Sequence, residues 1–385
     1  MARKSTYQIP YTQLNHLVEP RSFLSLLKSF FLAIFGIVLL LGCTYLIRPN
    51  VVTLVQPDVI KYTFRNEENP FEWKRYNKSI LVSAGDCAGM GNVIFRLAFV
   101  YAMGRRFHRT PIMSYGKNIE CKRKDKLELY SYFPNIIGPA FDEPEPESSK
   151  AINFGGGTWK SDDFSKLDIP DAVIRPTGLY LQSFLYFNEY RDEIRTMMKP
   201  SPGVVSFVDR YIKNVWPDLP KHKMCIHLRS FPSNHPTVST NITFATESIR
   251  FVANYLRESE NISDIGLIIF TEKNDWIKTV KEAIKNETDI EKHHSPRLLV
   301  RAQEWALAQQ HCDSFIITTI GSTYSWWMAY LMKEEAQKRI FYKDEMFLPN
   351  HENKKTSFVA NEFLPPNWNE LDWVNGTLQL KPRSL

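Results

Sequence analysis

The sequence contains no Asp-x-Asp, no Cys-x-x-Cys and no Gly-Lys-Ser/Thr phosphate loop. Without Asp-x-Asp it lacks the paired carboxylates that Mg²⁺ or Mn²⁺ commonly requires, so we expect no metal site and no metal cofactor. Without closely spaced cysteines, a zinc or redox site is not expected. Without the lysine of a phosphate loop, the chain is not a P-loop nucleotide-binding protein.

Strong charge imbalance is also missing, because the formal net charge is only +6 over 385 residues. A nucleic-acid partner would need a clustered basic face. The densest basic run, residues 122–126, is interrupted by Asp125 and is typical of a solvated loop. We therefore expect no nucleic-acid partner. The mildly basic balance is compatible with a small anionic substrate.

Long apolar runs are rare, but one is present at Ser29–Ile47, which carries no charged residue. As a helix it would be about 28 Å long, which matches the hydrocarbon core of a bilayer. A basic flank precedes the run and predicts a cytoplasmic N-terminus. We predict a tail at 1–28, a transmembrane signal anchor at 29–47 and a stem at 48–78. A cleaved signal peptide is less favoured, because the run is long and lies far from the N-terminus.

The rest of the chain would then lie in an oxidising compartment, and two features agree with that prediction. Four cysteines lie outside the anchor and allow two disulfides in three possible pairings: Cys87, Cys121, Cys225 and Cys312. Five sequons predict N-glycosylation sites, at Asn77, Asn241, Asn261, Asn286 and Asn375.

Short apolar runs alternate with amphipathic segments along the chain, which predicts an α/β protein with doubly wound parallel sheets. Predicted strands are 79–83, 111–113, 224–228, 265–270, 314–319 and 339–342. Predicted helices are 92–107, 180–198, 245–259, 274–285, 301–311 and 322–335. Because some 330 residues exceed one ordinary core, we predict two domains, at 79–199 and 200–385.

Three segments could bind an anion. Arg229 directly follows the strand at 224–228, and ligands of open α/β sheets bind outside the carboxyl ends of strands. Gly321–Trp327 opens a helix after a strand, with Ser322 or Thr323 as its N-cap, so its exposed amides form an anion site. Gly85–Asn92 is a glycine-rich turn after the first strand. Taken alone, each segment could have a purely structural role: the arginine in a surface ion pair, the helix start as an ordinary cap, and the glycine-rich segment as a tight turn.

Together and in order, these segments resemble one family, the GDP-fucose-dependent α-1,2-fucosyltransferases of glycosyltransferase family 11. Ala88–Met113 resembles its Gly-x-Gly-Asn-x-x-Phe segment, and Ile226–Arg229 resembles its His-x-Arg-Arg-x-Asp motif. Phe270–Trp276 is similar to its strand followed by an acidic, Trp-containing turn. Glu304–Leu331 is similar to its closing segment, and Gln310–Leu331 is the most specific part of the resemblance. The resemblance covers roughly residues 79 to 345 in patches.

The resemblance implies two Rossmann-like domains of GT-B type, with the acceptor on the N-terminal domain and the nucleotide-sugar on the C-terminal domain. It implies an inverting, metal-independent fucosyltransferase of the Golgi membrane that moves L-fucose from GDP-fucose to a glycan hydroxyl, α-1,2 to galactose. The acceptor would be a glycoprotein or glycolipid. Donor-binding residues implied by the matching positions are Gly89, Gly91, Asn92, Arg229, Gly321, Ser322, Thr323 and Ser325.

The chain departs from the family at two places. Ser230 replaces the second motif arginine, and Phe231-Pro232 replaces a Gly-Asp pair. The alternative prediction is therefore a catalytically inactive lumenal protein that binds a glycan or nucleotide on a transferase scaffold.

For catalysis, Arg229 would stabilise the negative charge that develops on the departing diphosphate. Asp86, in the glycine-rich loop, is the first candidate for the general base that accepts the acceptor proton. His227 is the alternative if its ring faces the cleft instead of the core.

Overall fold

The computed structural model describes residues 73–84, 89–115, 119–136, 139–142, 144–156, 159–178, 180–231, 239–285, 290–343 and 359–381. The predicted tail and anchor at 1–28 and 29–47, and all but the last residues of the stem, lie outside these ranges. In the described ranges, no helix is both long enough and apolar enough to cross a membrane.

The first sheet has four parallel strands in the order β2-β1-β4-β3. They are β1 (Lys78–Ser83), β2 (Arg109–Ser114), β3 (Lys150–Ile152) and β4 (Val173–Pro176). Its helices are α1 (Met90–Arg106) and α2 (Ile119–Tyr132), with a single turn at Pro139–Asp142. Helix α1 is almost entirely buried because its apolar residues occur on all faces.

The second sheet has seven strands in the order β11-β10-β9-β8-β5-β6-β7. All pairs are parallel except β10 with β11, which form a hairpin at Asn375-Gly376. The strands are β5 (His222–His227), β6 (Ile265–Phe270), β7 (His293–His294), β8 (Ser314–Ile317), β9 (Ile340–Tyr342), β10 (Asn369–Val374) and β11 (Thr377–Leu380).

In the described part of the chain, six α-helices lie between Arg191 and Tyr330. They are α3 (Arg191–Met197), α4 (Pro202–Val215), α5 (Ile242–Glu260), α6 (Asn274–Ile284), α7 (Arg301–His311) and α8 (Thr323–Tyr330). A single turn at Ala360–Phe363 follows. Short 3₁₀ turns lie at Pro134–Ile136, Phe164–Leu167, Phe184–Tyr186, Asn188–Tyr190 and Glu334–Arg339. The α/β class with parallel sheets is confirmed.

Two predicted helices were wrong in extent. The segment 180–198 is helical only in its 3₁₀ turns and in α3; Ser183 has an extended backbone, and its side chain caps the first of these turns. The helix predicted to reach residue 335 ends at Tyr330. Its last carbonyls accept hydrogen bonds from the Gln337 amide and the Arg195 guanidinium, so the backbone is satisfied without another turn.

One hydrophobic core joins the two sheets. At its centre, Phe95 of α1 contacts Trp326 and Trp327 of α8, with ring centroids 4.6 and 4.9 Å apart. Both tryptophans are at most 1% exposed. Each sheet lies within one of the two predicted domains, and the described residues belong to one compact unit. The boundary near residue 200 stays a prediction.

Candidate active site

A cavity of about 690 Å³ lies where strands β5, β6 and β8 end, with the start of α1 on one side. Eight of the residues predicted for the site line it: Gly89, Gly91, Asn92, His227, Arg229, Gly321, Ser322 and Thr323. Ser325 is fully buried and does not line the cavity. Asp86 lies outside the described residues, so its candidacy as the general base stays a prediction.

Arg229 is held by its backbone and leaves its guanidinium in the cavity. Thr318 donates a hydrogen bond to the carbonyl of His227, and its Oγ1 lies 2.6 Å from Thr240 Oγ1. The amide of Arg229 donates to that same Thr240 hydroxyl at 2.7 Å. The guanidinium lies over the Phe231 ring and 3.5 Å from a Glu272 carboxylate oxygen. With 38% of the side chain exposed, the Arg229–Glu272 pair is weak, and an incoming anion can compete for the cation.

His227 lies behind Arg229 and is a poor base. Its Nδ1 is 2.5 Å from the hydroxyl of Ser325, and its ring contacts Tyr324. Burial, with a smaller contribution from the positive Arg229, lowers the pKa of the imidazole to about 3. A neutral ring with so low a pKa accepts a proton weakly near neutral pH. Ser325 therefore orients His227 instead of lining the cavity.

Helix α8 presents its N-terminus to the cavity. Ser322 is the N-cap, and its hydroxyl accepts a hydrogen bond from the amide of Ser325. The amides of Thr323 and Tyr324 have no acceptor within the described part of the chain. Unpaired first-turn amides and the positive end of the helix dipole favour an anion at this position.

Gly91 and Asn92 connect the two halves of the site. The Oδ1 of Asn92 accepts hydrogen bonds from the Thr323 hydroxyl and from the Gln182 amide, both at 2.9 Å. The carbonyl of Gly91 accepts from the indole of Trp327 at 3.0 Å. A Cβ on Gly91 would lie 2.7 Å from the backbone carbon of Thr323. These residues therefore position the start of α8, a role that the sequence did not reveal.

The cavity is also lined by charged residues that were not predicted from the sequence to belong to the site. They are Arg297, on the loop after β7, and Arg301 and Glu304, in the first turn of α7; Glu272 follows β6. The strand-end rule could have identified Glu272. Strand β7 is only two residues long, so no apolar run marked Arg297. The amphipathic pattern of α7 gave no sign that its first turn faces a cavity.

Among these arginines, only Arg297 has no carboxylate partner in the described ranges. Arg301 makes two hydrogen bonds to the carboxylate of Glu128 on α2, at 3.1 and 2.5 Å. Arg229 lies beside Glu272. Among the described residues that line the cavity, Arg297 and the weakly paired Arg229 are therefore the cations best placed to meet an anionic ligand.

Three of the four candidate cysteines are disulfide-bonded in the structure. Cys225 and Cys312 form a disulfide that joins β5 to the end of α7. Cys121 is also disulfide-bonded, and Cys87 lies outside the described residues. In the described ranges, no cluster of three or more His, Cys, Asp or Glu side chains could hold a metal ion.

Four of the five predicted glycosylation sites are exposed: Asn77, Asn241, Asn261 and Asn375. The fifth, Asn286, lies outside the described residues. Asn241 also caps helix α5, where its Oδ1 accepts from the amide of Phe244 and leaves the Nδ2 group available. Glycosylation of these residues stays a prediction.

The sequence matches no family model. A galactoside 2-alpha-L-fucosyltransferase of Caenorhabditis elegans is 22% identical over 362 residues, which cover 91% of this chain and 95% of that protein. Another protein of the same name and organism is 21% identical over 320 residues, 77% of this chain and 78% of that protein. Among solved structures, Arabidopsis thaliana FUT1 in complex with GDP has a TM-score of 0.39 at 13% identity and covers 68% of this chain and 70% of that one.

Proposed function

We propose that this chain, a glycosyltransferase and a divergent relative of the galactoside 2-alpha-L-fucosyltransferases, transfers L-fucose from GDP-fucose to a hydroxyl of a glycan. One observation carries the proposal: Arg229 and the first-turn amides of α8 line the same cavity at the strand ends. A guanidinium and a helix N-terminus are the groups that bind a diphosphate.

The proposal extends to the finer points of the reaction. The donor lies against the C-terminal half in a GT-B arrangement, and transfer inverts the anomeric carbon without a metal ion. The linkage is α-1,2 to galactose on a glycoprotein or glycolipid. A Golgi membrane location with a type II anchor is supported by the uncharged run at 29–47, the exposed sequons and the Cys225–Cys312 disulfide.

In this mechanism the acceptor oxygen attacks the anomeric carbon of fucose from the face opposite GDP. Negative charge grows on the diphosphate as the bond between that carbon and the phosphate oxygen breaks. Arg229 and the amides of Thr323 and Tyr324 stabilise that charge where it develops. Asn92 acts indirectly, because its hydrogen bond from Thr323 holds the start of α8 in place.

Arg297 supplies the second cation that Ser230 cannot provide. We expect Arg297→Ala to weaken GDP binding about 10- to 100-fold, because a charge-assisted hydrogen bond contributes about 1.5–3 kcal/mol. The measurement is isothermal titration with GDP and with GMP, and the loss should be larger for GDP. Arg210→Ala, on the exposed face of α4, is the matched control and should bind like the wild type. Equal GDP affinity in the Arg297→Ala protein would contradict this role.

The alternative function, a lumenal binding protein without catalysis, is favoured by one observation, the loss of the second motif arginine at Ser230. Incubation of the full-length protein with a panel of nucleotide-sugars, with and without a galactose-terminated glycan, separates the two. The proposal predicts acceptor-dependent GDP release from GDP-fucose. GDP-induced thermal stabilisation without any release would favour the binding protein, and release from another donor would contradict the assigned sugar.

A further inference from the structure

A carboxyl group in the cavity has a role in neither donor binding nor any ion pair of the described residues. Glu304, from the first turn of α7, lines the cavity with its side chain largely buried. Its Oε2 lies 2.6 Å from the hydroxyl of Tyr324, in the first turn of α8. A buried carboxyl held by a phenol instead of a cation can exchange its proton without breaking an ion pair.

The hydrogen bonds around Tyr324 accommodate both protonation states of Glu304. The phenol oxygen also lies 2.9 Å from the carbonyl of Arg301, and one phenol proton cannot serve both acceptors fully. When Glu304 is ionised, the phenol donates to the carboxylate. When Glu304 is protonated, the carboxyl can donate to the phenol oxygen, and the phenol donates to the carbonyl. Each state therefore keeps its polar atoms paired, as a group that gains and loses a proton requires.

We propose that the Glu304 carboxylate is the general base that accepts the proton of the acceptor hydroxyl. This role rests on the proposed fucosyl transfer. The acceptor O–H bond breaks, and its oxygen bonds to the anomeric carbon of fucose. The bond from that carbon to the phosphate breaks, and its electron pair leaves with GDP. The proton moves to Glu304, which releases it to solvent after the products depart.

Burial places the titration of Glu304 near neutral pH. Burial raises the pKa of the carboxyl to about 7, the negative Glu272 adds to the rise, and the hydrogen bond with Tyr324 opposes it. Proton transfer is most efficient when the pKa of the base lies near the working pH. The other titratable or charged groups at or near the cavity are Arg301 and its partner Glu128, Arg229, Arg297, His227 and Tyr211.

The two earlier candidates fit this role less well or lie outside the described residues. His227, with a pKa of about 3, is too weak a base near neutral pH. Asp86 is outside the described ranges. Glu304 combines access to the cavity, burial and a partner that tolerates both states, and the sequence alone showed none of these.

The test compares Glu304→Gln with Glu282→Gln, an exposed glutamate on α6 that serves as the matched control. We expect Glu304→Gln to lower kcat for glycan transfer about 100-fold or more, the typical contribution of general base catalysis. Its affinity for GDP should stay unchanged, because the carboxyl is assigned to the acceptor. Glu282→Gln should behave like the wild type in both measurements.

The pH profile distinguishes a base from a merely structural residue. Because only the ionised carboxylate accepts a proton, kcat of the wild type should rise with pH and level off above about 7. Glu304→Gln should lose this acid limb. Tyr324→Phe removes a hydrogen bond that lowers the pKa of Glu304, so its acid limb should move to higher pH.

Three results would overturn the role. They are a Glu304→Gln protein that keeps wild-type kcat, one that keeps the acid limb, and one whose GDP affinity falls as much as its kcat. A wild-type protein that transfers no sugar would instead overturn the proposed function, on which the role rests. The control measurements on the wild type therefore separate the two failures.

Discussion

Replacing Arg229 with alanine is expected to reduce fucosyl transfer about 100- to 1000-fold, because loss of one preorganised contact to developing charge costs about 3–4 kcal/mol of barrier. The substitution removes a guanidinium that lies over Phe231 and beside Glu272 at the cavity surface. The backbone at this position is held by Thr240, which the substitution does not touch. The effect should therefore be on rate, and the measurement is kcat/KM for GDP-fucose.

The fold of the Arg229→Ala protein should remain intact. Its side chain is 38% exposed and its pair with Glu272 is screened by solvent, so the thermal midpoint should match that of the wild type. Arg210→Ala controls for loss of an arginine elsewhere and should keep full activity. Wild-type turnover in the Arg229→Ala protein would contradict the proposed contact between Arg229 and the diphosphate.

Gly91→Ala is expected to destabilise the protein by about 1–3 kcal/mol, the usual cost of forcing a methyl group into a packed site. A Cβ at this position would lie within 2.8 Å of three atoms of Thr323, two of which are backbone atoms. Alanine would otherwise be the better helix residue, so a loss of stability must arise from the clash. Because Thr323 begins α8, donor binding should weaken as well.

Gly89→Ala is the matched control for Gly91→Ala. A Cβ on Gly89 would meet no atom within 4 Å, and its backbone is extended and open to any residue. The measurement that compares the two variants is the free energy of unfolding by denaturant; GDP affinity is compared between Gly91→Ala and the wild type, because Gly89 itself lines the cavity. If the two variants had the same free energy of unfolding, α1 and α8 could move apart without loss of stability. That result would contradict the role of Gly91 in positioning the start of α8.

Four strands of the second sheet, β5, β6, β8 and β9, could be predicted from the sequence because they are short apolar runs. Ile265–Phe270 and Arg301–His311 match their predicted bounds. Burial on both faces of a parallel sheet requires such runs. The segment 180–198 was misread because its aromatic residues pack by tertiary contacts in 3₁₀ turns, and local periodicity does not record those contacts. Gln337, which ends α8 early, lies seven residues beyond the helix and carries no local signal.

The site could be predicted where it follows a local rule. Arg229 at a strand end and Ser322 at a helix start were found because each rule needs only neighbouring residues. Arg297 was missed because the two-residue strand before it carries no apolar run, and Glu304 because its place in the cavity depends on the packing of α7. Asn92 was predicted to belong to the site, but its hydrogen bond with Thr323, 231 residues away, was not. Its contact with α8 requires the packed structure.

The central claim is that this chain moves fucose, and the transfer of labelled L-fucose tests it most directly. Purified full-length protein is incubated with labelled GDP-fucose and a galactose-terminated glycan, and label on the glycan is measured. We expect label on the acceptor from the wild type and about 100- to 1000-fold slower transfer by Arg229→Ala, the loss typical of one such contact. A wild-type protein that binds GDP yet leaves the glycan unlabelled would contradict it.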